Sequence, residues 1–209
     1  MDAIYASAWS HPGIAWIANG LLLVVGLGRA PQKLRAFIAV CMVAICVDAW
    51  LTGALRPATT YGQAIGIFFV IAGDLRYFAL LERYIGGRLW IAVALAFIVP
   101  WSQTALMQAW PEPFQTKRTI FLCYEAMFVV ACVLIWQLRY AAKLNALPAD
   151  VSIFLQRLTA YEIVQYVLWA TADVLILNGQ EWALLLRLVP NALYYGGFLW
   201  FVTLFSPRS

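Results

Sequence analysis

A chain of 209 residues with 64% hydrophobic and 11% charged side chains is no water-soluble domain, since such domains carry roughly 25% charged residues. Its net charge of +4 is dispersed over short connecting stretches rather than gathered in a basic patch, which argues against nucleic acid as a partner. A mean hydropathy of +0.80 instead marks a polytopic membrane protein, and the length suits one helical bundle with no soluble domain beside it.

Seven apolar segments follow one another, at roughly 12–29, 36–55, 61–81, 87–109, 119–138, 152–177 and 182–205. Each approaches the ~20 residues that one bilayer crossing needs. The stretch before the first, "MDAIYASAWSHPG", carries no Lys or Arg, so no cleavable signal peptide is expected. "GRAPQK" closes the first segment, "RPATT" the second, "IGGR" the third and "WPEPFQTKR" the fourth. "LNALPAD" follows the fifth and "NGQ" the sixth, all rich in residues that break helices. The expected fold is all-α, a single seven-helix membrane domain over 1–209 with neighbouring helices antiparallel. Arg29, Lys33, Arg35, Arg83, Arg88, Arg139, Lys143, Arg157 and Arg208 fall on one side, against Arg56, Lys117 and Arg118 on the other. The positive-inside rule then predicts an outside N-terminus and a cytoplasmic C-terminus. Trp9, Trp90, Trp110 and Trp182 sit near segment ends, where interfacial anchors belong. The expected location is a membrane, the bacterial inner membrane or an equivalent intracellular one, with lipid as a constant neighbour.

Several chemistries lack the residues they require. Cys41, Cys46, Cys123 and Cys132 all lie in apolar segments and form no CxxC pair, so they read as small buried hydrophobes. The single histidine, His11, cannot supply bis-histidine haem ligation within one chain. Lys33, Lys117 and Lys143 fall in loops, leaving the last helix without a lysine for a retinal Schiff base. No metal and no cofactor is expected.

Ionisable groups inside a membrane are costly and mark function. The candidates are Asp48, Asp74, Arg76, Glu125, Glu162, Asp173 and Arg187. On the sixth helix Glu162, Gln165, Tyr166, Trp169 and Asp173 share one face, at i, i+3, i+4, i+7 and i+11. On the seventh, Arg187, Asn191, Tyr194 and Tyr195 do the same. Two such stripes suggest a common interior cavity; the plainer alternative is hydrogen-bond glue between helices. Asp173 and Arg187, near the outer ends, could pair as a clasp. The third segment ends in "AGDLRYFALLERY". Asp74 and Arg76, two apart, point to nearly opposite sides of a helix. Arg76 can snorkel toward the interface or serve a function. Glu82 and Arg83 are expected at the solvated edge. Asp74 is deeper and needs a partner on helix two, six or seven. An acid at the depth of Asp74 or Glu162 is a hydrogen-bond donor when protonated and a potential general acid.

With 10 Trp, 10 Tyr and 12 Phe, aromatic faces able to stabilise a cation are plentiful. "CMVAICVDAWLTGALRP" on helix two, "GIFFVIAGDLRYF" on helix three and "LVPNALYYGGFLW" on helix seven resemble segments of the small seven-helix membrane terpene cyclases of fungal meroterpenoid and indole-diterpene pathways and their bacterial relatives. The resemblance implies a non-metal cyclase, an isomerase or lyase of terpenoid biosynthesis, acting on a lipophilic small-molecule substrate, a polyprenyl or prenylated compound or its epoxide. Asp48 would take the place of the family's helix-two acid. Asn191 stands where the family has a helix-seven Asp and cannot donate a proton as an acid does, so either another acid, such as Glu162 or Asp74, would serve here or the same scaffold carries a different function. Asp48, Glu162 and Asn191 are thus the expected catalytic positions. Asp74, Tyr77, Glu125, Gln165, Tyr166, Trp169, Asp173, Arg187, Tyr194 and Tyr195 are the expected substrate-binding ones. The rival readings are a small-molecule or proton-coupled transporter, with Pro100 and Pro190 as helix hinges, and a sensor or assembly subunit.

Overall fold

A computed structural model describes residues 7–8 and 12–208, the side chain of Gln63 excepted. Trp9 and His11 lie outside the described residues, among which every regular element is helical. We number the helices α1 Ile14–Arg29, α2 Gln32–Thr52, α3 Gly62–Tyr84, α4 Leu89–Ala109, α5 Lys117–Leu144, α6 Ala149–Leu177 and α7 Ala183–Phe205. Six of them, α2 to α7, are long and apolar enough to cross a membrane; α1 is apolar but shorter than a full crossing. All seven expected helices are present among the described residues, the first of them the shortest. α1 tightens into a 3-10 turn, Leu27–Arg29, before Pro31, and Pro31 cannot donate the next backbone bond. Arg35 then takes up the loose carbonyls, donating to Ala30 O at 3.1 Å and Gly28 O at 2.8 Å.

Other boundaries have equally local causes. Thr116 caps α5 by accepting from the Thr119 N–H. α5 outruns its expected end because a π-type turn, Trp136–Tyr140, carries it on to Leu144. α6 starts earlier than expected, directly after Pro148, with Asp150 in its first turn. At the far end of α3, Gly86 sits at φ +69° and the Gly87 N–H donates to Glu82 O at 2.7 Å. α4 passes through Pro100 as one helix, whereas α7 is irregular at Arg187 and at a π-type turn, Leu193–Gly197.

Polarity is reversed relative to a soluble fold. Leu138 is 85% and Val24 83% exposed, while Asp74, Glu82, Glu162 and Asp173 are buried. Apolar side chains outside and acids inside is the arrangement that a lipid solvent selects.

The chain divides into two compact units. One comprises the segment up to Val70 together with that from Arg187 onward; the other is Ile71–Leu186. In the first, α1 packs on α2 and on the π-type turn of α7. A Cβ at Gly196 would stand 2.8 Å from the Ala18 Cβ, so glycine there sets the α1–α7 approach. In the second, α5 packs extensively on α6 and also on α4, and α3 joins α5 and α6 through the polar contacts described next.

Candidate functional site

The second unit holds three polar layers strung along α5. At the start of α5, Arg118 Nη1 donates to Asp173 Oδ1 on α6 at 3.0 Å. Near its end, Arg139 Nε and Nη2 donate to the two carboxylate oxygens of Glu82 on α3, both at 2.7 Å. Tyr140 adds a third hydrogen bond to Glu82 at 2.8 Å. Twenty-one residues of helix separate the two arginines, about 32 Å at 1.5 Å per residue, close to the thickness of a bilayer core. In both pairs the carboxylate is buried and the arginine about a quarter exposed. Glu82 is therefore a buried ion-pair member rather than the solvated edge residue expected from its position. It fits because Gly87 has no side chain: a Cβ there would lie 1.9 Å from Glu82 Oε2.

The middle layer answers which helices Asp74 faces. Its carboxylate accepts one hydrogen bond from the Tyr166 hydroxyl on α6, at 2.6 Å, and another from the Tyr124 hydroxyl on α5. Helix six was among the expected partners; helix five was not. One turn along α3, the Tyr77 hydroxyl donates to Thr159 Oγ1 at 3.0 Å, and Thr159 in turn donates to Leu155 O at 2.9 Å. Rings wall the layer. Phe128 stacks on Tyr166 with centroids 4.0 Å apart, and Trp169 meets Tyr166 edge-on at 5.3 Å.

Two more ionisable groups share this layer. Arg76 is 5% exposed, so it stays in the interior instead of snorkelling to the edge. It interacts electrostatically with both Asp74 and Glu162, and those two acids with each other. Glu162 and Gln165 lie three apart on α6, buried, on the face that carries Tyr166. Glu162 Oε1 and both polar atoms of the Gln165 amide have no hydrogen-bond partner among the described residues. The expected sixth-helix stripe thus does face inward, with Glu162, Gln165, Tyr166 and Asp173 buried and Trp169 half-buried. Glu125, the neighbour of Tyr124 on α5, is also buried.

The remaining expected positions belong to the first unit. Asp48 is buried on α2 and accepts from Thr52 Oγ1 at 2.9 Å. Arg187, Asn191, Tyr194 and Tyr195 are buried along α7. Tyr194 donates to Phe69 O at 3.1 Å, and Asn19 Nδ2 donates to Tyr195 O at 3.0 Å and to Ala15 O at 2.7 Å. Of the expected catalytic set, Glu162 lies in the second unit and Asp48 and Asn191 in the first.

Comparison with protein-family models, with curated proteins and with solved structures finds no match to this chain. The site is therefore read from its own geometry. Six of its members were not assigned to it from the sequence: Glu82, Arg118, Tyr124, Arg139, Tyr140 and Thr159. Tyr124, Phe128 and Cys132 recur at i, i+4 and i+8, one buried face of α5, and that spacing was the available signal. Arg118 and Arg139 looked like boundary cations because the apolar run stops short of both.

Proposed function

We propose that this chain is a proton-coupled membrane transporter of small solutes, with Asp74, Glu162 and Arg76 as its proton-carrying cluster. One observation carries the reading: the buried carboxyl groups of Asp74 and Glu162 interact with each other and with one buried guanidinium, Arg76. A single arginine balances a single carboxylate. Uncompensated charge at such depth costs several kcal/mol, so the second carboxyl holds a proton. Because the two acids interact, that proton has two possible seats, and a solute or a conformational step that favours one seat moves it. The ion pairs at either end keep α3, α5 and α6 in register about this exchange.

Purified protein in liposomes, loaded with a pH-sensitive dye and driven by a pH gradient, tests the reading. Wild type is expected to pass protons, stimulated by a transported solute, and Glu162→Gln and Asp74→Asn are expected to stop it. Flux equal to that of protein-free liposomes would contradict the proposal.

A second reading, the terpene cyclase, draws support from the aromatic rings around Asp74 and from the sequence resemblance of helices two, three and seven. The rings weigh less than they first suggest. Phe128 and Tyr166 present faces to each other, and Tyr124 and Tyr166 spend their hydroxyls on Asp74. Feeding prenylated substrates and their epoxides separates the two readings: cyclised products lost on Asp74→Asn would favour the cyclase.

A further inference from the structure

The Gln165 amide has no role in the contacts described so far. It is fully buried, on the face of α6 that carries the proton-carrying groups. An amide moved from water into an apolar interior loses several kcal/mol unless its hydrogen bonds are replaced, and buried polar atoms are paired almost without exception. Here three atoms need partners together: Gln165 Oε1, Gln165 Nε2 and Glu162 Oε1. Two acceptors and one donor group are involved. Residues three apart on a helix have Cβ atoms about 5–6 Å from each other. One water molecule bridges that span and makes about three hydrogen bonds when buried.

We propose that Gln165 and Glu162 together form the binding site of one ordered water, and that this water is the group through which Glu162 gains and loses its proton. Gln165 acts as a positioning residue: its amide carbonyl accepts from the water and its NH2 donates to it, fixing the water against Glu162 Oε1. In the step itself, the Glu162 O–H bond breaks and its proton passes to the water oxygen. One of the water's own protons leaves for the Asp74 carboxylate, the second seat of the shared proton, so that Asp74 becomes neutral and Arg76 balances the carboxylate left on Glu162. No electrons are exchanged, and the water is regenerated. The inference rests on the proton-carrying reading of Glu162 given above.

Infrared difference spectroscopy on the reconstituted protein in ordinary water and in H2(18)O tests it. Wild type is expected to show an isotope-sensitive water O–H band. Gln165→Met, close in shape but apolar, and Glu162→Gln should each displace or abolish it. Proton flux through Gln165→Met should fall about tenfold, the equivalent of one buried hydrogen bond, and Gln165→Asn should restore part of it. Absence of the isotope-sensitive band in wild type would overturn the inference without need of any variant. So would wild-type flux in a folded Gln165→Met protein, leaving the transport reading intact. If wild type passes no protons, the transport reading falls, and the band alone decides whether the water site exists.

Discussion

The two units put their polar side chains to different ends. In the first, donors that join helices finish on backbone carbonyls: Asn19 on Tyr195, Tyr194 on Phe69, Trp16 on Cys46, Trp200 on Ala18; the Asp48 carboxylate accepts only from Thr52 of its own helix among the contacts described. In the second, donors that join helices finish chiefly on carboxylates, at Asp74, Glu82 and Asp173, although Gln103 on Ile120 O shows that backbone-directed contacts join helices there too. A backbone carbonyl is present at every position and asks only for a donor, so contacts of the first kind join helices. A buried carboxylate carries a charge that must be paired or protonated, so contacts of the second kind can change state. Polar residues in a membrane segment therefore divide by what they bond to, rather than by how polar they are.

The largest effect expected of a single change is at the Glu82 ion pair. Glu82→Ala leaves the Arg139 guanidinium without its two-pronged partner, and should cost about 3–5 kcal/mol. Thermal unfolding in detergent reads this, and a loss under about 1 kcal/mol would place the pair with exposed surface bridges. In the first unit, Gly196→Ala drives a methyl into Ala18 and should cost about 1–3 kcal/mol of overpacking; adding Ala18→Gly should recover much of it. Asn19→Leu removes two interhelical or local hydrogen bonds at a cost of about 1–3 kcal/mol, yet proton flux per folded molecule should stay at wild type. Flux that falls in step with Asn19→Leu would erase the contrast between the units. Smallest is Tyr166→Phe, which takes one hydroxyl from Asp74 and should cost about 1 kcal/mol of stability while slowing flux.

Much of this was legible in the sequence. Hydropathy marked every helix, and the i, i+3, i+4 spacing from Glu162 to Asp173 marked the inward face of α6. Glu82 shows why the rest was not. By depth it is a boundary residue, and its burial depends on Arg139 and Tyr140 from a helix fifty-odd positions away and on the missing Cβ of Gly87. α1 shows the limit of hydropathy itself, because an apolar run does not reveal that its last turns tighten before Pro31. Asp173 pairs with Arg118, a partner that reading by level did not name, because antiparallel α5 and α6 bring the two to the same end.

The shared proton is the claim on which the rest depends. Infrared difference spectra of the protonated-carboxyl C=O stretch, comparing wild type with single substitutions, count it directly. Asp74→Asn and Glu162→Gln should each abolish the same band, because either change leaves one carboxylate balanced by Arg76. Arg76→Gln should enlarge it, because both acids must then be protonated. A band indifferent to all three substitutions, or no band in wild type, would contradict the shared proton.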